Sequence, residues 1–112
     1  MEGVNRSAII VIPKQPFLDW LRLVDPDFED VTLAELQTDP IVYLIPEVEC
    51  DEDLSTHLRK FCVEIFEEHL DEWIADDTLW PMDRGFEAFS RWFAVSFHST
   101  VIDYVEEPVA GQ

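Results

Sequence analysis

Residues 51–74 read DEDLSTHLRKFCVEIFEEHLDEWI, and this stretch has the strongest helical periodicity in the chain. Its apolar residues recur every three or four positions: Leu54, Leu58, Phe61, Cys62, Ile65, Phe66, Leu70, Trp73 and Ile74. This spacing places them along one side of a helix. Asp51, Glu52 and Asp53 suit the start of that helix, because the helix dipole favours anions there. We therefore predict a helix of roughly 35 Å that forms the scaffold of the domain.

Two short apolar runs precede this helix, and each is followed by a proline. The runs are Ala8–Ile12, before Pro13, and Ile41–Ile45, before Pro46. Continuous runs of β-branched and aliphatic residues are typical of strands that are buried on both faces. We predict a strand at each run.

The segment between the two strands predicts two short helices. Pro16 suits the first turn of a helix, and the apolar residues after it have helical spacing: Phe17, Trp20, Leu21 and Val24. Thr32 and Glu35 have the spacing of a capping box, which predicts a brief second helix. Asp39 and Pro40 end this helix before the second strand.

A fourth helix is predicted around residues 86–93, where the apolar residues are Phe86, Phe89, Trp92 and Phe93. The following residues, VSFHSTVIDYV at 95–105, fit either a continuation of this helix or an edge strand. We favour the strand, because the segment is rich in β-branched and aromatic residues. The expected fold is a mixed α+β (α/β) layer of about three strands and four helices in the order β-α-α-β-α-α-β.

Length and composition predict one globular domain over residues 1–112, with loose termini at 1–7 and 107–112. Hydrophobic residues make up 47% of the chain, which distinguishes it from acidic disordered tails. The two cysteines form no CxxC pair, and two are too few for a disulfide scaffold. The N-terminus lacks a signal-peptide pattern and the apolar runs are short, so we expect a cytoplasmic protein without membrane contact.

The negative charge is concentrated in the middle of the chain. Eighteen of the 25 acidic residues lie between Asp25 and Asp77, where only Arg59 and Lys60 oppose them, so this segment carries −16 of the total −18. Binding to a phosphate backbone requires clustered lysine and arginine. The charge therefore excludes nucleic acid as a partner and favours a basic protein surface.

The long helix carries an acidic ladder: Glu64, Glu67, Glu68, Asp71 and Glu72, continued by Asp76 and Asp77. Like charges four residues apart destabilise a helix, and acids near its C-terminus oppose the dipole. Residues that break such local preferences for helix stability are often functional. The alternative explanation is that this face is acidic only to keep the protein soluble. We predict a non-enzymatic protein-binding module, such as an adaptor, an inhibitor or a mimic of nucleic-acid charge.

The alternative is a small metal-dependent or acid–base enzyme that uses His69 or His98 with nearby carboxylates. No motif for a metal ligand set or a catalytic triad accompanies either histidine, so we predict no metal, cofactor or catalytic residue. Two loops are candidate contact sites. Lys14 and Gln15 follow the first strand, and the other loop contains Trp80, Asp83 and Arg84.

The apolar content also predicts self-association. The predicted strands and helices carry more apolar surface than three strands can cover, and two-fold dimers commonly bury such a patch. Repulsion between two subunits of charge −18 favours the monomer instead. We expect a homodimer that salt stabilises.

Overall fold

The computed structural model describes the backbone of residues 2–3 and 5–105 and the side chains of residues 5–105. The strands are β1 (Glu2–Gly3), β2 (Arg6–Pro13), β3 (Ile41–Pro46), β4 (Phe93–His98) and β5 (Ile102–Asp103). The α-helices are α1 (Gln15–Val24), α2 (Leu33–Leu36), α3 (Asp51–Trp73) and α4 (Phe86–Trp92), with short 3-10 turns at Pro26–Phe28 and Asp77–Leu79. The chain is a compact α+β domain, as predicted. The expected loose segment 107–112 lies outside the described residues.

The main sheet is antiparallel and has the strand order β3-β2-β4, so β2 is the central strand. Ile9 of β2 lies opposite Tyr43 of β3 on one side and Phe97 of β4 on the other. A separate two-stranded ribbon pairs β1 with β5 through Glu2 and Asp103.

Two predicted boundaries were wrong. Segment 1–7 was expected to be loose, but β2 already begins at Arg6, because Arg6 and Ser7 continue the pairing with β3 opposite Pro46 and Ile45. The strand predicted over residues 95–105 exists, but β4 begins at Phe93 and ends at His98. Residues 99–101 separate it from β5, which pairs with β1 instead of with the main sheet.

The helices cover one face of the sheet, and the core lies between the two layers. Ile9 and Val11 on the covered face are fully buried, together with Phe17 of α1, Phe66 of α3 and Phe89 of α4. Aromatic side chains join the helices there, since the ring of Phe66 lies 5.1 Å from that of Phe93, measured between centroids.

The prediction that both runs are strands buried on both faces was wrong, because Ile10 and Ile12 of β2 are only partly buried and the outer side chains of β3 are exposed. Val42 and Leu44 point away from the helices, and they are 57% and 41% exposed. A continuous apolar run does not reveal how many layers of helices pack on the sheet, and the described residues supply only one.

Indole hydrogen bonds fix the connection between α3 and α4. Trp20 donates its Nε1 hydrogen to the carbonyl oxygen of Leu79, and Trp80 donates to that of Ile74. In the part of the chain that the structure describes, no helix is long and apolar enough to cross a membrane.

Candidate functional site

A groove runs between the C-terminal half of α3 and the edge strand β3. Two cavities lie along it, of about 100 Å³ and about 200 Å³. The smaller is lined by Tyr43, Leu44, Ile45, Phe61, Glu64, Ile65 and Glu68. The larger is lined by Pro13, Glu35, Leu36, Thr38, Asp39, Pro40, Ile41, His69, Glu72 and Trp73. Because the start of β3 lies beside the end of α3, the two elements run antiparallel.

Glu64, Glu68 and Glu72 line this groove and form one row along α3, which we call the acidic row. The three side chains and that of the neighbouring Asp71 are exposed. They follow each other at four-residue intervals, which places them about 6 Å apart along the helix axis. The acidic row therefore lies along the edge of a groove. It does not lie on a convex, fully solvated surface.

Glu67 differs from the other acids of the predicted ladder. Its Oε2 accepts a hydrogen bond from Nε of Arg84 at 3.0 Å, and this is the one salt bridge within residues 5–105. Arg84 also donates to the carbonyl oxygen of Pro81 at 2.6 Å. Glu67 thus holds the loop before α4 against α3, while no basic side chain within these residues is paired with the acidic row.

Asp76 and Asp77 lie beyond the helix, in the turn after α3. Asp76 accepts hydrogen bonds from the backbone nitrogen and the hydroxyl of Thr78, at 3.0 Å and 2.6 Å. These bonds lower the pKa of the Asp76 carboxyl below its ordinary value. Both aspartates are exposed, but Asp76 has a local role as the cap of the following 3-10 turn.

His69 lies in the core of the domain. It is 3% exposed, and its Nδ1 lies 2.8 Å from the carbonyl oxygen of Ile65. A carbonyl only accepts, so Nδ1 carries the hydrogen and Nε2 carries a lone pair. Nε2 is buried and has no hydrogen-bond partner among the described residues. Burial lowers the pKa of His69, although the carbonyl of Ile65, the charges of Glu72 and Glu68, and a weaker interaction with the backbone of Val11 oppose this effect.

Tyr43 connects β3 to the acidic row. Burial, then the negative charge of Glu68 and its hydrogen-bonding interaction with the hydroxyl, and finally the charge of Glu72 raise the pKa of Tyr43. The Tyr43 hydroxyl also lies 3.5 Å from Nδ1 of His69. A neutral hydroxyl therefore lies between the two cavities, beside the middle carboxylate of the row.

The predicted contact loops are used within the molecule. Lys14 donates from Nζ to the carbonyl oxygen of Ser90 at 2.9 Å, and Gln15 bonds Asp19 one turn further along α1. Asp83 accepts from the backbone nitrogen of Gly85 at the start of α4. The argument that ligands bind at strand ends applies to parallel α/β sheets, and this sheet is antiparallel. The loop of Lys14 and Gln15 thus loses the reason for which it was chosen.

The remaining histidines, His57 and His98, line neither cavity of the groove. His98 is exposed, and its Nε2 lies 2.8 Å from the hydroxyl of Ser96. His57 stacks on the ring of Phe61, with centroids 6.5 Å apart. Within residues 5–105, no cluster of three or more histidine, cysteine or acidic side chains has a geometry that could hold a metal ion.

The uncovered side of the sheet forms a second distinct surface, which we call the outer sheet face. The strand register places ten side chains on it: Arg6, Ala8, Ile10, Ile12, Val42, Leu44, Pro46, Ala94, Ser96 and His98. None of them is acidic, although the chain carries a net charge of −18. The outer sheet face therefore differs from the acidic row in charge.

Comparison with known proteins identified no family: no family model, no curated protein and no solved structure matches the chain. Any functional conclusion must therefore come from the groove and the two surfaces themselves.

Sequence reasoning identified the acidic row but missed the partners that make it a groove. Glu35 and Asp39 approach Glu72 only because α2 and the start of β3 fold against the end of α3. The burial of His69 did have a signal, since position 69 follows Ile65 by four residues and Cys62 by seven, on the apolar side of α3.

Proposed function

We propose that the protein is a non-enzymatic binding module that engages a basic protein surface through the acidic row and Asp71. The observation that carries the proposal is the uncompensated charge of this surface. Of the five acids in the α3 ladder, only Glu67 pairs with a basic side chain within residues 5–105. The other four are exposed, and two of them, Asp71 and Glu72, lie in the last turn of α3, where the helix dipole disfavours negative charge.

A basic partner relieves this repulsion. Carboxylates held four residues apart on a helix destabilise it, and a cation placed between them converts the repulsion into attraction. Negative potential over a concave surface also raises the association rate of a cationic partner, and salt reduces this effect. The same field repels nucleic acid, so the proposed partner is a protein.

Titration with a decalysine peptide tests the proposal. We expect binding in 50 mM salt that weakens strongly in 500 mM salt, and no binding of a 20-base-pair DNA duplex. Glu64→Lys with Glu72→Lys should weaken decalysine binding far more than a control pair that changes charge equally, Glu87→Lys with Asp30→Lys. Both control residues are exposed and line neither cavity of the groove. Equal losses in the two variants, or tight binding to DNA, would contradict the proposal.

A second property, self-association, is favoured by the outer sheet face. This face is apolar at Ile10, Ile12, Val42 and Leu44 and has no acidic residue. Two copies that pack these faces together keep both acidic rows on the outside of the assembly. Three strands of six residues present about 14 Å by 20 Å, well below the roughly 800 Å² per partner of a standard interface. We therefore propose a weak homodimer.

A further inference from the structure

We propose that the groove receives an extended basic segment of the partner, which adds to the sheet as a fourth strand beside β3. This inference rests on the proposed function, and it specifies the conformation and the sequence pattern of the bound segment. The segment has a basic residue at every second position, and the residues between them are apolar.

The first argument is the free edge of β3. β2 lies on one side of β3, and no strand lies on the other side within the described residues. None of the backbone hydrogen bonds outside helices and strands involves Ile41–Ile45. An edge of this kind can bind an extended peptide through main-chain hydrogen bonds. Pro40 and Pro46 flank the run, so the added strand pairs over about five residues, or roughly 17 Å.

The second argument is the match between two repeats. Residues four apart on a helix lie about 6 Å apart along its axis, and alternate residues of a strand lie about 6.8 Å apart. The acidic row therefore extends over about 12 Å, while three alternate side chains of an added strand extend over about 13.6 Å. The flexible chains of lysine and arginine absorb this small difference. Three basic side chains can thus meet Glu64, Glu68 and Glu72 in turn.

The third argument is the alternation of faces. Ile41, Tyr43 and Ile45 point towards α3, while Val42 and Leu44 point to the outer sheet face. An added strand continues this alternation, because successive side chains of a strand point to opposite faces. Its basic residues then lie on the side of the acidic row, and its apolar residues extend the surface formed by Val42 and Leu44.

The fourth argument is an unsatisfied group in the larger cavity. His69, whose buried Nε2 has no partner among the described residues, lines this cavity together with Glu35, Asp39 and Glu72. Buried polar atoms are normally hydrogen-bonded, and Nε2 carries a lone pair that only a donor can satisfy. The three carboxylates that line the cavity favour a basic side chain there. The basic residue that reaches Glu72 is thus the anchor of the segment.

Peptides of fixed composition test the inference. The probe has the core Lys-Val-Lys-Val-Lys between neutral flanks, and its control has the rearranged core Val-Lys-Lys-Lys-Val. Two further probes carry N-methyl groups either on the lysine amides or on the valine amides, since only one of these sets can face β3. Calorimetry gives the affinities, and amide hydrogen exchange of Ile41–Ile45 reports whether the edge is paired.

We expect the alternating peptide to bind about tenfold more tightly than the rearranged one, because main-chain pairing adds to the charge contacts. One N-methylated peptide should lose this advantage and the other should keep it, while exchange in β3 slows. Equal affinities for all four peptides, with unchanged exchange, would overturn the inference and leave the proposed function intact. If none of the peptides binds at low salt, or if Glu64→Lys with Glu72→Lys has no effect, the proposed function itself fails.

Discussion

Nδ1 of His69 donates a hydrogen bond to the carbonyl oxygen of Ile65, one turn earlier in α3, over 2.8 Å. This bond fixes the tautomer of a neutral imidazole in the core, and the ring also lies 4.8 Å from that of Phe93 between centroids. The protein thus keeps a titratable group in its core, adjacent to the proposed binding groove.

The first prediction concerns acid stability. The pKa of His69 is lowered by burial from its ordinary value of 6.5, so in acid the unfolded chain binds a proton that the folded protein excludes. The contribution of His69 to stability is complete above pH 6.5 and is lost as the pH falls from there towards the folded pKa. The loss is at most about 1.4 kcal/mol per pH unit.

Urea denaturation at pH 7.5, 6.5 and 5.5 measures this effect. In the variants His69→Leu and His69→Phe, the pH dependence over this range should become flatter, whatever the change in overall stability. The neighbouring groups Tyr43, Glu68 and Glu72 remain in both variants. An unchanged slope would show that other groups cause the pH dependence.

The second prediction concerns the ion pair between Glu67 and Arg84. Both side chains are about one third exposed, so solvent screens the attraction. We expect Glu67→Gln to reduce the free energy of unfolding by less than about 1 kcal/mol. Arg84→Met should cost more, because it also removes the donor to the carbonyl oxygen of Pro81. Denaturation of the two single variants and the double variant gives the coupling energy, which should decrease in 0.5 M salt; a coupling of zero would contradict the pairing.

The third prediction separates folding from binding on the acidic row. Glu64→Lys and Glu72→Lys each remove one repulsion with Glu68, and Glu72→Lys also suits the helix dipole, because position 72 lies in the last turn of α3. Stability should therefore hold or rise by about 0.2–0.5 kcal/mol for each repulsion removed. We choose these two positions because Glu68 also interacts with Tyr43. Thermal denaturation of the double variant checks the expectation, and a clear loss of stability would mean that these carboxylates have attractive partners in the fold.

The fourth prediction concerns the homodimer. Sedimentation velocity at several protein concentrations should show a dimer whose population increases from 50 to 500 mM salt, because salt screens the repulsion between subunits. Val42→Lys should weaken the dimer at least tenfold, since a two-fold interface places the new charges on both copies. Leu23→Lys changes another exposed apolar residue, on α1, and should have no effect. A monomer under all conditions would refute the outer sheet face as an interface.

The order of helices and strands could be predicted because each element carries its own local signal. The apolar periodicity of α3 and the proline in the first turn of α1 depend only on residues that are neighbours in the sequence. Both helices therefore form where these patterns predict them. The exposure of Val42 and Leu44 could not be predicted in this way. Their exposure depends on whether helices pack on one face of the sheet or on both. A strand with a continuous apolar run is compatible with both arrangements.

The candidate site could likewise be predicted only in part. The acidic row could be predicted from helical spacing alone, but its position beside β3 requires the packing of α3 against the edge of the sheet. Nothing in the sequence around Tyr43 indicates that it interacts with Glu68, which lies twenty-five residues further along the chain. Interactions between distant segments depend on tertiary packing, and a single sequence does not show which distant residues lie close together.

The central position of β2 also affects how the chain folds during synthesis. β2 and β3 can pair once synthesis has passed Pro46, but β4, which completes the sheet, begins only at Phe93. At a synthesis rate of about 5–20 residues per second, the ribosome needs several seconds to reach it. During that interval the edge of the most apolar strand has no partner, and such edges promote aggregation. The acidic middle segment is complete before β4 is made, and it gives the nascent chain a strong negative charge that keeps neighbouring copies apart.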